Sequence, residues 1–284
     1  MSQPALPSGV GVTAIVIAKE RSVESARPDR LFQDTLATDF VDAAKRALGP
    51  GGPNFDVTLG DYLPLMRGYV ALRTRYFDER LLAACAAGCR QVVSLAAGLD
   101  ARAWRLPWPS GVRFFELDVP EMLAFKRQVV AARGATPPCE RHEVGVDLRE
   151  DWPAALRGAG FEPQVPTAWL AEGLLIYLSD ADNERLLENV GRLSAPGSWL
   201  ALEHADSRVL KQPGVARRRA ESLDAHGVVW QSGIDAPGDW LRRQGWSATV
   251  LDPDAYARSI GRPLPPVLDA SAETGRIWLA SGTR

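Results

Sequence analysis

The run QVVSLAAGLDARAWRLPWPSGVRFFELD, residues 91–118, decides the fold. It opens on an apolar series, Val92-Val93-Ser94-Leu95-Ala96-Ala97. A parallel strand buried on both faces reads as a continuous apolar run, where a half-exposed strand would alternate. The series breaks at Gly98, where a residue without a Cβ lets backbone and ligand approach closely. Asp100 follows, and a second strand, 112–118, ends on Asp118. Gly98 and Asp118 are 20 residues apart. A nucleotide-binding turn and the carboxylate that receives ribose hydroxyls are separated by about 20 residues. The run therefore predicts a nucleoside-binding α/β domain.

Outward from this run, strands and helices alternate. Further strands are expected at 139–146, 167–172, 198–203, 246–251 and 275–281. Helices are expected at 13–25, 31–48, 59–88 (with an interruption at Pro64), 120–133, 150–158, from Asp180 or Asp182 to about Ser194, and 236–243, with a short segment after Gly98 reaching Leu106. Such alternation implies a mostly parallel, doubly wound sheet, and two late strands close together allow an antiparallel edge. Residues 1–88 read as an N-terminal helical extension that caps the site, and 89–284 as the Rossmann-like core. Within the core, 206–235 is charged and interrupts the alternation, which suggests an inserted helical lid. Trp169, Trp199 and Trp278 fall on expected strands and read as core.

The composition excludes several classes. The chain has 284 residues, 46% hydrophobic and 24% charged, with a formal net charge of −2, ordinary for a globular enzyme. No basic face for nucleic acid is evident; Arg217-Arg218-Arg219 reads as a solvated helix face. Cys85, Cys89 and Cys139 lack a metal spacing and suit a reducing cytoplasm. The apolar run Val10–Ala18 is too short to cross a bilayer and has no basic leader, so neither a membrane span nor a signal peptide is expected.

In a doubly wound sheet, ligands bind beyond the carboxyl ends of the strands. The residues expected there are Gly98 and Asp100, then Asp118, then Asp147-Leu148, then Glu172. Any one of these suits a surface turn; four successive strand ends carrying them together point to a site. Glu116 shares a strand face with Asp118, but Asp118, at the tip, is the better ribose ligand. Glu172 interrupts an apolar stretch, 168–178, and an isolated carboxylate is costly to bury unless paired. A cationic group on the ligand would be one partner. On its own, Arg73 reads as a surface arginine beside Arg75.

The stretches RTRYFD, VVSLAAGLDARAWRL, FFELDVPEMLAFK, DLREDW and TAWLAEGLLIYL resemble the leucine carboxyl methyltransferase superfamily. More closely, they resemble its bacterial S-adenosylmethionine-dependent branch, which includes mycobacterial and polyketide O-methyltransferases. The resemblance runs from about Thr13 to Trp246. It implies a class I methyltransferase fold with S-adenosylmethionine as cofactor. Arg73 would then bind the methionine carboxylate and Gly98 would line the methionine moiety. Asp118 would take the ribose hydroxyls, Asp147 and Leu148 would frame adenine, and Glu172 would face the cofactor's amino group with Tyr177 close by. Lys19 or Arg21 would be the basic residue that some members carry on the N-terminal segment. The chain has LAAGLDAR where members often have LGAGLDTR, so Ala96 and Ala101 stand in for Gly and Thr.

The implied reaction is in-line methyl transfer from sulfonium to oxygen. A carboxylate acceptor is already ionised at pH 7 and needs alignment rather than a base. That suits a chain without a Ser-His-Asp or metal cluster, and a small-molecule natural-product acid is the favoured acceptor. A hydroxyl-directed O-methyltransferase is the alternative and would need a base; Tyr177 and His204 are the catalytic candidates, although a structural role suits His204 better. His142 and His226 are assigned no role. A nicotinamide dehydrogenase would want G-x-G-x-x-G after the first strand, where this chain has Ala96-Ala97-Gly98-Leu99-Asp100-Ala101. A non-catalytic S-adenosylmethionine-binding protein is the remaining reading, and the expected lid favours turnover over it.

Overall fold

A computed structural model describes residues 11–49, 54–62, 64–211, 230–269 and 275–284. Two helices, α1 (Gly11–Ser25) and α2 (Ala37–Leu48), come first. The short α3 (Leu59–Tyr62), a 3-10 turn at Pro64–Met66 and the long α4 (Tyr69–Ala86) follow. The core then alternates through β1 (Gln91–Leu95), α5 (Arg102–Arg105), β2 (Arg113–Asp118), α6 (Pro120–Arg133), β3 (Glu140–Gly145), α7 (Trp152–Gly158) and β4 (Thr167–Ala171). It continues through α8 (Asp180–Arg192), β5 (Trp199–Ala205), α9 (Ser207–Leu210), α10 (Pro237–Arg243), β6 (Ser247–Val250), α11 (Pro253–Ser259) and β7 (Ile277–Thr283).

The strands form one sheet in the order β3-β2-β1-β4-β5-β7-β6. β1 to β5 pair in parallel, and β7 runs antiparallel between β5 and β6. This is the expected doubly wound sheet, with its antiparallel strand one place in from the edge. Register aligns the strand ends: Leu95 sits level with Leu117 on one side and Ala171 on the other. Gly98, Asp118 and Glu172 therefore leave the sheet along one rim.

The apolar strand runs have the cause expected of them. On β1, Val92 packs into the layer beneath α4, and Val93 and Leu95 into the opposite layer with Leu156, Leu186 and Trp240. β2 and β4 repeat the alternation, with Phe114 and Leu170 on one face and Phe115 and Trp169 on the other. A third cluster joins α1 and α2 to α6 through Ile15, Phe40, Val41 and Phe125, and Leu99 from the β1 exit packs into it.

Several boundaries differ from expectation. Residues 31–36 are not helical: Asp34 Oδ1 accepts from the N–H groups of Leu36 and Ala37, which turns the chain just ahead of α2. Ser179, not Asp180 or Asp182, caps α8, its hydroxyl accepting from Asp182 N–H. The helical segment after Gly98 is a single turn. α11 was not expected; Asp252 caps it by accepting from Ala255 N–H. Trp169 is fully buried, but Trp199 and Trp278 are only partly buried, and Arg276 stacks over the Trp278 ring at 3.6 Å. Of the expected lid, 206–211 and 230–235 are described. Gln231 N–H donates to Ile176 O, and Ile234 N–H to Ala205 O. Arg217-Arg218-Arg219 and His226 lie outside the described residues.

Candidate functional site

A cavity of about 900 Å³ opens along the carboxyl rim of the sheet. Its wall includes Arg73, Gly98, Asp100, Asp118, Asp147, Leu148, Glu172 and Tyr177, so every residue expected to bind cofactor meets in one place. His204 lines it too, and α1 closes one side through Thr13, Ala14, Val16, Ile17 and Arg21.

The β1 exit turn is tight. Gly98 has a φ of 47° and stands where a Cβ would lie 3.5 Å from the Ala14 side chain. Its N–H donates to Asp118 Oδ2 at 2.7 Å, and Val119 N–H donates to Oδ1 at 2.7 Å. Burial pushes the Asp118 carboxyl up, and these two N–H groups oppose that. The expected ribose ligand is thus held at the strand tip by backbone donors, with lone pairs left over. Its neighbour Glu116 is buried and pairs with Lys126 at 2.8 Å and Arg141 at 2.5 Å, which makes it a structural acid. After β3, the Arg149 side chain holds Asp147 below the usual carboxylate range.

Glu172 is not isolated. Arg21 Nη2 lies 3.0 Å from Oε1, Arg73 Nε 2.9 Å from the same oxygen, and Arg102 Nη1 2.5 Å from Oε2. Burial alone would raise its pKa; the charges of Arg102, Arg73 and Arg21 outweigh it and hold the group well below the usual range. Arg102 also pairs with Asp100 and Asp78, both at 2.7 Å, and Asp78 pairs with Arg105. Arg73 reaches Glu203 at 2.8 Å. Four guanidiniums and four carboxylates thus form one buried network, which overturns the reading of Arg73 as a surface arginine and gives Glu172 partners within the protein.

The two catalytic candidates are both neutral at pH 7. Tyr177 ends a 3-10 turn (Leu175–Tyr177); burial pushes its phenol up, while hydrogen bonds with Trp230 and Thr13 oppose that. His204 is buried and its pKa is pushed down to about 4. Ala205 N–H donates to its Nδ1 at 2.8 Å, so the proton sits on Nε2, which lies 3.4 Å from Ser232 Oγ and from Asn183 Nδ2. Both ring nitrogens are engaged by protein, as a structural histidine's are. His142, away from the cavity wall, stacks on Phe115, and its Nε2 lies 2.9 Å from Glu140 Oε1.

Three wall residues escaped the sequence reading or were left open by it. Arg21 rather than Lys19 lines the cavity, because Arg21 lies on the face of α1 turned toward Glu172. Glu203 ends the apolar run of β5 as Glu172 follows that of β4, so the strand-end rule would have found it. Tyr69 carried no comparable signal.

A family model described as leucine carboxyl methyltransferase matches residues 14–191. A protein of Parafrankia sp. (strain EAN1pec), provisionally named an S-adenosyl-L-methionine-dependent methyltransferase, is 50% identical over 260 residues, 91% of this chain and 83% of its own. One from Mycolicibacterium smegmatis with the same kind of name is 45% identical, covering 89% of this chain and 88% of its own. Among solved structures, a provisionally named methyltransferase from Thermobifida fusca YX superposes with a TM-score of 0.58 at 16% identity, covering 98% of this chain and 95% of its own. A DUF574 protein from Streptomyces avermitilis gives 0.58 at 14% identity and covers 98% of both chains. Both structures share the fold.

Proposed function

The chain belongs to the leucine carboxyl methyltransferase family, and from that premise we propose that it methylates an oxygen of a small-molecule acceptor, a carboxylate oxygen above all. It is an S-adenosylmethionine-dependent methyltransferase. The carrying observation is that four successive strand ends, β3, β2, β1 and β4, present their candidate ligands to one cavity.

The residues fit the cofactor. Seven carboxylates line the cavity against three guanidiniums, which suits a ligand whose sulfonium and ammonium outnumber its one carboxylate. Asp147 and Leu148 would frame adenine, Asp118 the ribose hydroxyls and Gly98 the methionine chain. Arg73 would take the methionine carboxylate and Glu172 the amino group. Asp100 would act by fixing Arg102, and through it Glu172. When bound, the cofactor supplies a methyl group on a sulfonium.

Neighbouring strands are spaced about 4.8 Å apart, so β3 to β4 spans roughly 14 Å of rim and leaves the β5–β7 end for the acceptor. There Met66, Ile277 and Trp230 form an apolar wall. An acceptor already ionised at pH 7 matches a wall whose His204 and Tyr177 are not poised to take a proton. The residues would then contribute alignment and exclusion of water. We place the reaction in the cytoplasm, a setting that three free cysteines support.

Calorimetric titration with S-adenosylmethionine, in wild type and Asp118→Ala, tests the cofactor reading. The wild type should bind, and the variant should bind at least about tenfold more weakly. No binding to folded wild type would defeat the reading. With an acid acceptor identified by mass spectrometry, kcat/KM should stay flat from about pH 6 to pH 9, because the carboxylate is ionised throughout. A limb rising with pH would point instead to a hydroxyl acceptor.

A further inference from the structure

Glu203 is a buried carboxylate on β5 that the proposed methyl transfer does not use. Its Oε1 accepts from Arg73 Nη1 at 2.8 Å and from Gly173 N–H at 2.5 Å, and its Oε2 accepts from the Tyr69 hydroxyl. It is 7% exposed. Burying an anion is expensive unless strong donors surround it, and here a guanidinium, a backbone N–H and a phenol do. The donors come from separate parts of the chain: Arg73 and Tyr69 from α4, and Gly173 from the turn leaving β4. Glu203 is therefore the point at which α4 and the β4 exit are tied to β5.

We propose that Glu203 is a positioning residue for the amino-acid half of the cofactor, fixing Arg73 and, through Gly173, the backbone beside Glu172. This rests on the cofactor reading above. Arg73 has long-chain rotamer freedom that its contacts must remove. Glu172 faces the Nε edge of its guanidinium as an ion pair without a hydrogen bond, Glu203 accepts a hydrogen bond from Nη1, and the Tyr69 ring lies 5.4 Å from its Cζ. Without the Nη1 anchor the guanidinium can pivot about Glu172. Gly173 has a φ of 67°, and a Cβ there would meet Glu203 Oε1 at 3.7 Å and Arg73 Nη1 at 4.0 Å. The turn beside Glu172 thus closes directly on the Arg73–Glu203 pair. Glu203 lines the cavity with both oxygens held by protein donors, and the role assigned to it is exerted through Arg73 and Gly173.

Two variants separate reach from charge. Glu203→Asp keeps the charge but withdraws the carboxylate by one methylene. Glu203→Gln keeps an oxygen within reach of Arg73 and Gly173 but removes the charge. Each is titrated with S-adenosylmethionine and with 5′-methylthioadenosine, which lacks the amino-acid chain, and a thermal melt reports folding. Glu203→Asp should weaken S-adenosylmethionine about tenfold or more, the loss of one charge-assisted hydrogen bond, while methylthioadenosine stays within about twofold. Glu203→Gln should restore S-adenosylmethionine to within about threefold of wild type, since the distances survive. The proposal is overturned if Glu203→Asp binds S-adenosylmethionine like wild type, if it loses both ligands equally, or if Glu203→Gln loses as much as Glu203→Asp. Should Glu203→Asp fail to fold, Glu203→Ala takes its place in the same titrations: a selective loss of S-adenosylmethionine supports the proposal, and wild-type binding or an equal loss of both ligands overturns it. Wild type that binds neither ligand sinks the cofactor reading instead.

Discussion

Ala96 sits in left-handed backbone, with a φ of 52°, one residue past the end of β1's apolar core and two before Gly98. A Cβ in that conformation crowds the following carbonyl at a cost of about 1–2 kcal/mol. Glycine would remove the crowding but lose about 0.5–1 kcal/mol to its freer unfolded chain. Ala96→Gly should therefore stabilise the fold by about 0.5–1 kcal/mol, read as a higher denaturant midpoint at unchanged slope. An unchanged or lower midpoint would mean that the turn carries no strain. Gly98, Asp118 and Glu172 could be read from sequence because strand ends mark where a parallel sheet puts its ligands. The setting of Arg73 could not: whether an arginine on a helix faces solvent or a buried acid depends on what packs against that helix, and here the partners come from the exit of β4 and from β5, 99 and 130 residues away in sequence.

All seven expected strands exist; burial on both faces writes itself into β1, β2, β4 and β5 as apolar runs, whereas β3 (ERHEVG) and β6 (SATV), toward the sheet's two edges, are largely half-exposed and more polar. Helix starts were harder, since a local side chain decides them: Asp34 delays α2 and Ser179 begins α8. Helix α1 shows how an element outside the sheet can complete the site. It supplies five wall residues, and Arg21 ties it to Glu172 at 3.0 Å. Ligand bound beneath α1 should slow its amide hydrogen exchange, because opening the helix would then also expose the ligand. Arg21→Ala should remove most of that added protection and leave β1 and β4 exchanging as in wild type. Equal protection of α1 in the variant would show that the ion pair does not hold the helix down.

The sheet order was not legible, although its strands were. Local pattern says that a segment is a strand, but its neighbours are chosen by long-range pairing; only the closeness of two late strands hinted at an antiparallel edge. β7 contacts β5 through seven aligned pairs and β6 through four. A chain stopped after Arg276 should therefore fail to form a cooperative fold, with no sharp thermal transition in circular dichroism; a sharp transition would show that β5 and β6 close without it. The same placement has a consequence for protein synthesis. Both neighbours of β7 leave the ribosome before it does, so β5 waits with one edge unpaired while more than seventy further residues are translated. Through that interval the nascent chain offers an open apolar strand to other chains, which is the hazard that sheet edges carry. Slow translation between β5 and β7 would lengthen that exposure, and a chaperone that shields strand edges would matter most there.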